Sequence, residues 1–243
     1  MTYLYLDIET IETQDRDIRE RIAAEIRPPA SMSKPETIAK WMEEQRDAAI
    51  ETAIAKTALD GAAGHVVCIG YAFADGPAMA QMAEHHTDEV EILSKFLEAV
   101  KALVGFGRPV IVGHNIAWDL RFLTQRAIVL GVPLPHWWPR DIKPWSQDIF
   151  CTITAWAGAK DTISLDRLCR TLGITGKGDV TGADVRGMWY AGQFDAIGRY
   201  CMGDVNRTRA IHRKMQVAFG ELEKPAEPAP SLDDDAAFLA EGA

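Results

Sequence analysis

Asp7 and Glu9 interrupt the apolar run "TYLYLDIETI". Side chains two apart on a strand project from the same face, so both carboxylates would point at one place. Like charges in a partly buried site repel each other and resist desolvation. A hard divalent cation with oxygen ligands is the natural source of compensating charge. A lone D-x-E has a simpler explanation, a strand that ends at Leu6 and leaves both acids in water, so the pair needs companions.

Two further pairs supply them. "GHNIAWDLRFL" sets Asn115 and Asp119 four residues apart, at the start of a helix that follows a strand directly, which turns Asp119 toward the region beyond that strand's end. "YCMGD" sets Tyr200 and Asp204 on one face of a late helix. Each pair alone also fits a helix cap, a first-turn acid or an exposed surface pair. Their order along the chain argues for a shared site: first strand, strand-to-helix junction, late helix.

The elements that must position these residues form an α/β domain over about residues 1–220. Residues 3–8 read as a strand, and "GHVVCIGYAFADGPAMAQMAEH" as two strands joined by a tight turn at Asp75-Gly76-Pro77. A helix is expected over about 88–103, with Ile92, Phe96, Leu97, Val100 and Leu103 as its apolar stripe and Asp88 and Glu89 at its positive end. "RPVIVGHNI" reads as a buried strand and "AWDLRFLTQRAIVLG" as a helix closed by Gly131. "SLDRLCRTLG" and "FDAIGRYCMGDVNRTRAIHRKMQVAF" follow as amphipathic helices. An insertion over about 12–60 is helical, with "SKPE" at 33–36 as a capping box and Ile38, Met42, Ala49, Ala53 and Thr57 at helical spacing. It is expected either to clamp a substrate strand or to pack as an accessory.

These residues resemble the three motifs of the DEDD superfamily of 3′–5′ exonucleases, in its tyrosine-bearing branch. Asp7 and Glu9 in "DIET", Asp119 in "HNIAWD", and Tyr200 with Asp204 in Y-x-x-x-D carry the likeness, supported by "QDIF" at 147–150 and "SLDRLCRTLGITGK" at 164–177. The likeness is to the proofreading exonuclease domain of family B DNA polymerases and related free-standing exonucleases. It implies a ribonuclease H-like fold, with a mixed central sheet flanked by helices and a helical insertion after the first strand. Attachment to a polymerase is not implied.

The resemblance further implies two Mg²⁺ or Mn²⁺ ions held by Asp7 as the bridging ligand, with Glu9, Asp119 and Asp204 around them. Such ions would activate a water and stabilise the departing 3′ oxygen. Tyr200, neutral at pH 7, would orient the attacking water. Thr10, Ile11, Asn115 and Lys177 are implied as substrate contacts, and His114 as a structural residue. The implied reaction is hydrolysis of phosphodiester bonds at the 3′ end of single-stranded DNA, releasing nucleoside monophosphates. A ribonuclease D-like exoribonuclease and a non-catalytic module that binds nucleic acid or a partner stay open beside it.

Composition sets the remaining bounds. The 243 residues are 47% apolar, enough for one large core, and no apolar stretch is long enough to span a bilayer. With no basic-then-apolar leader, a soluble cytoplasmic protein without a membrane partner is expected. Cys68, Cys151, Cys169 and Cys201 are too widely spaced for a C-x-x-C pair and are expected as reduced thiols. The net charge of −9 is uneven, since residues 221–243 hold seven acids and one lysine. That Pro/Ala-rich tail is expected to be disordered, with "DDDAAFL" as a candidate protein-binding motif. Bound metals would supply the positive field that an acidic chain otherwise denies a phosphate.

Three other patterns draw notice. "PHWWPRDIKPW" offers Trp137, Trp138 and Trp145 with Arg140 and Lys143, either to stack a single strand or to cover a core edge. "GITGKGDVTG" lacks the spacing and the preceding strand of a nucleotide-binding loop. His85-His86 would hold a metal only with partners from elsewhere.

Overall fold

The computed structural model describes residues 2–105, 107–143 and 145–223. Residues 224–243, which include the "DDDAAFL" segment, lie outside the described residues. Two compact units divide the chain, Met1–His212 and Arg213–Ala243.

The first unit is built on a five-stranded mixed sheet in the order β3-β2-β1-β4-β5. Its strands are β1 (Tyr3–Ile11), β2 (His65–Phe73), β3 (Met79–Met82), β4 (Val110–Gly113) and β5 (Ile149–Cys151). β1 is antiparallel to β2 and parallel to β4, β2 is antiparallel to β3, and β4 is parallel to β5. The central place of β1 follows from its composition, since a run of β-branched, aromatic and leucine side chains is stable when both faces are covered. The strand runs three residues beyond the expected end at Ile8, so the acids belong to the sheet itself.

The pleat then sorts β1 into two faces. Leu4, Leu6 and Ile8 enter the larger core with Ile92, Phe96 and Val100 of α4 (Glu89–Val104) and Ile116, Leu120 and Leu123 of α5 (Ile116–Leu130). On the opposite face Tyr5 packs with Ala72, Val112 and Val205, and Ile11 with Val67, Cys68, Ile197 and Cys201. Val205, Ile197 and Cys201 lie on α9 (Phe194–Ala218), and Val185 and Trp189 of α8 (Val185–Tyr190) complete this smaller core. Between Glu9 and Thr10 the register with β2 slips by one residue, a bulge that bends the ladder just past the second acid.

The insertion is helical as expected, but its details differ. It comprises α1 (Arg16–Glu25), α2 (Pro35–Glu44) and α3 (Arg46–Lys56). The capping box at Ser33 does not form: α2 starts at Pro35, so Lys34 takes the cap position and makes no side-chain capping bond. Proline favours the first helical position, which places the cap one residue later than the S-x-x-E pattern suggests. The chain also breaks at Gln45 between α2 and α3, so Met42 is exposed while Trp41 and Ile54 provide the buried anchors.

α4 carries a feature that helix-dipole reasoning undervalues. Glu89 is buried, and its carboxylate accepts from Arg126 Nε at 2.8 Å and Nη2 at 2.7 Å, and from the Val66 amide at 2.8 Å. His65 Nδ1 lies 3.1 Å from it. Burial alone would raise the Glu89 pKa, but the bonds to His65 and Arg126 outweigh it and hold the carboxyl below its usual range.

In the second unit the described residues are the end of α9, Arg213 to Ala218, and a turn and bend over 219–222. Among the described residues no helix is long and apolar enough to cross a membrane.

The ion pair generates a test. Glu89→Ala strands the Arg126 guanidinium in a buried place and should lower stability by roughly 3–5 kcal/mol, read by urea denaturation. A depressed carboxyl contributes its stability above the unfolded-state pKa and loses it as pH falls through the folded value. The wild type should therefore lose more stability than Glu89→Ala between neutral pH and the acid range. Parallel losses would show that the pair contributes nothing.

Candidate active site

The face of β1 that carries Tyr5 also carries Asp7 and Glu9, and α9 lies against it. Glu9, Asp119 and Asp204 are all at least nine-tenths buried. Asp119 comes from the first turn of α5, which leaves the end of β4 through Asn115. That residue sits in the left-handed region, with φ 70°, a conformation asparagine tolerates better than most side chains. The Asn115 side chain makes no capping bond and stays exposed, so it remains available at the rim.

The charges of these acids act on one another. Burial pushes the Asp7 carboxyl up to about 7, and the nearby Asp204 adds to the rise. Glu9 is held well above the usual carboxylate range, by burial first and then by Asp7. Asp119 is raised well above it for the same two reasons, burial and the Asp7 charge.

Among the described residues, cations form ion pairs with only one of the four. Asp204 accepts a short hydrogen bond from Lys177 Nζ, and Arg207 Nη1 donates to its other oxygen at 2.9 Å. Among the described residues, Asp7, Glu9 and Asp119 form no ion pair. One ligand atom each from Asp7, Glu9 and Cys201 lies within 4.8 Å of the others, and among the described residues no other such group of three forms. Hard oxygen donors, set close together and short of positive charge, fit a divalent cation.

Tyr200 stands one turn before Asp204 on α9. Its hydroxyl accepts from Lys177 Nζ at 2.7 Å, and the same ammonium lies 4.7 Å from its ring centroid. Burial pushes the Tyr200 pKa up to about 12; Lys177 opposes the rise and Asp204 adds to it. Burial works against the Lys177 ammonium too, yet its bonds to Asp204 and Tyr200 win and raise its pKa. The Lys177 loop is pinned from α7 (Leu165–Thr171), where Asp166 Oδ1 accepts from the Lys177 amide at 2.9 Å.

The structure thus gathers Asp7, Glu9, Asp119, Tyr200, Asp204 and Lys177, while the remaining expected contacts divide. The Thr10 hydroxyl donates to Ala58 O at 2.7 Å, tying β1 to the insertion. Ile11 is fully buried in the smaller core, which removes its side chain from any substrate. His114 has both ring nitrogens engaged, Nδ1 with Thr152 Oγ1 at 2.8 Å and Nε2 with Ile163 O at 2.9 Å, as a structural histidine would. Trp137 and Trp138 are buried in the larger core and cannot stack bases, whereas Trp145 is exposed beside Lys143. His85 and His86 pack on each other, and His86 on His65.

Three features were missed in the sequence. Arg207, at i+3 from Asp204, was legible as a helical pair. Cys201, whose Sγ is 3.5 Å from Asp7 Oδ2, carried no signal in a pattern of dispersed cysteines. A cleft of about 440 Å³ beside Glu9, lined by Thr10, Ala58, Leu59, Trp118 and Arg186, joins elements from four parts of the chain.

A mixed five-stranded sheet with helices on both faces and buried acids beside its central strand is a ribonuclease H-like α/β fold. Residues 62–230 match a family model described as predicted 3′-5′ exonuclease related to the exonuclease domain of PolB, and the chain belongs to that family. The match takes in Asp119, Lys177, Tyr200 and Asp204 and leaves out β1. Among solved structures, the chain is similar to the family B DNA polymerase from the hyperthermophilic archaeon Pyrobaculum calidifontis, at 20% identity and a TM-score of 0.57. The likeness covers 88% of this chain and 24% of that one, so the chain spans about a quarter of the polymerase's length. No curated protein matches.

The raised Asp7 pKa has a signed consequence. A carboxyl near 7 when folded and near 3.8 when unfolded contributes stability below the lower value, and that contribution is lost as pH rises through the upper one. In EDTA, stability should therefore fall between about pH 4 and 8, and Asp7→Asn should flatten that fall and raise the melting temperature at pH 8. Manganese should raise the wild-type melting temperature, by about 2.7 kcal/mol of stability at a hundredfold excess over its dissociation constant, and shift Asp7→Asn less. Equal shifts in both proteins would place the ion elsewhere.

Proposed function

We propose that this exonuclease-family chain is a divalent-metal-dependent enzyme of the tyrosine-bearing DEDD branch, hydrolysing single-stranded DNA from its 3′ end to nucleoside monophosphates. The observation that carries the reading is the set of carboxylates around Asp7, of which Glu9, Asp119 and Asp204 are buried and, among the described residues, only Asp204 has a cation paired with it. Asp7, Glu9, Asp119 and Asp204 would hold Mg²⁺ or Mn²⁺, which when bound supplies Lewis acidity for the attacking water and for the departing 3′ oxygen.

The chain's own residues do the rest. Tyr200 keeps its proton at neutral pH and orients the water by hydrogen bonding, since a phenol with a pKa near 12 is no general base. Lys177, shared between Tyr200 and Asp204, holds that hydroxyl in place and offers positive charge to a phosphate. Leu59 and Trp118 present apolar surface to unpaired bases in the cleft beside Glu9, and Arg186 stands at its wall. Exposed bases favour a single strand over a duplex. Leu59 comes from the insertion, which on this reading helps seat the substrate strand rather than serving only as packing.

Digestion of 5′-labelled oligonucleotides tests the reading. Single-stranded DNA should shorten stepwise with Mg²⁺ or Mn²⁺ and stay intact in EDTA. Faster digestion of RNA would move the substrate to the ribonuclease D-like alternative, and binding without cleavage would favour a non-catalytic module. Asp7→Ala should abolish detectable turnover, whereas Tyr200→Phe removes one hydrogen bond and should leave measurable activity. Equal losses in the two variants would show that the roles are misassigned.

A further inference from the structure

Asp7 and Glu9 converge on a donor that an oxygen-only cation site does not need. The Cys201 Sγ is buried, 3.5 Å from Asp7 Oδ2 and 3.5 Å from the Asp7 carbonyl oxygen. Glu9 is buried beside them, and among the described residues nothing hydrogen-bonds its carboxylate. The sheet leaves room for the sulfur. Gly70 is the β2 partner of Asp7, and a Cβ at that position would lie 2.6 Å from Cys201 Sγ. A side chain there would push the thiol away from the carboxylates.

The donor set is therefore two carboxylates and one sulfur, with ligand atoms within 4.8 Å of one another. Mg²⁺ gains little from sulfur and prefers oxygen in octahedral geometry. Zn²⁺ and Cd²⁺ accept thiolate and carboxylate together, and three protein ligands are a common Zn²⁺ complement. We propose that Cys201 makes this a binding site for a thiophilic divalent cation, Zn²⁺ or Cd²⁺, held by Asp7, Glu9 and Cys201, and that such an ion blocks turnover by excluding Mg²⁺. The inference rests on the reading of Asp7 and Glu9 as cation ligands. On binding, the Cys201 S–H bond breaks heterolytically: the sulfur keeps the electron pair for the metal and the proton passes to the buffer. No oxidation is involved.

The test is titration of the metal-free full chain with Cd²⁺, followed by the ultraviolet charge-transfer absorption of a cadmium–thiolate bond. Wild type should develop the band to saturation at one equivalent. Cys201→Ser should lack it, with Cys201→Ala in its place if the serine variant fails to fold by circular dichroism. Cys68→Ser controls for the neighbouring buried thiol and should keep the band. Asp7→Asn should need about tenfold more Cd²⁺ or worse, and excess Mg²⁺ should raise the Cd²⁺ needed by wild type. A band that survives in Cys201→Ser, or that saturates at the same Cd²⁺ concentration in Asp7→Asn, would overturn the proposal. Mg²⁺-supported DNA digestion by wild type separates the two readings: digestion without a Cys201-dependent band sinks the thiophilic site alone. A Cys201-dependent band without digestion under any hard ion sinks the exonuclease reading and leaves the sulfur site standing.

Discussion

Four carboxylates gather beside the central strand, and among the described residues only Asp204 is paired with a cation. Lys177 and Arg207 both go to Asp204, while burial, with the charge of Asp204 on Asp7 and of Asp7 on Glu9 and Asp119, raises the pKa of the other three. An arrangement of this kind costs stability in the absence of an ion, and the surrounding structure must hold it in place. β1 is central in the sheet, so the acids ride on a strand that is hydrogen-bonded on both sides. The larger core grips that strand through Leu4, Leu6 and Ile8, the residues alternating with the acids.

The contrast with Glu89 shows what the acids beside β1 are missing. Glu89 is as deeply buried as any of them, yet Arg126, the Val66 amide and His65 satisfy it, and its pKa falls. Among the described residues Glu9 has no such hydrogen-bond partners, and burial, then the Asp7 charge, raises its pKa. The same side-chain type therefore receives opposite treatment within one domain. A fully bonded buried acid consolidates packing, whereas an unbonded one keeps its oxygens free for a ligand.

The insertion returns to the acid-bearing strand. Thr10 and Thr13 on the β1 side bond to Ala58 and Thr57 at its end, and Arg186 of α8 pairs with both Glu12 and Glu51. These bonds bring Leu59 to the cleft beside Glu9 and leave most of α1 to α3 exposed. A helical excursion that returns to the acid-bearing strand can shape access to the site without altering the sheet.

Periodicity by itself determined much of this protein. Alternation put Asp7 and Glu9 on one face, the strand-to-helix step placed Asp119 at the sheet's end, and Gly131 closed α5 with φ 68°. These are local consequences of backbone geometry, readable within a few residues. What stands across from a face is not local. The sulfur that touches Asp7 lies 194 positions away, and the lysine on Asp204 lies 27 away. The same limit explains what residue type alone left open. Ile11 and the Trp137–Trp138 pair carried types suited to substrate contact, but the cores on either side of the sheet claimed them. Hydrophobic burial has no direction and takes whichever apolar surface the fold presents to it. A sequence sets the period of its own faces, and only tertiary packing decides which face meets water, which meets core and which is left with unpaired charge.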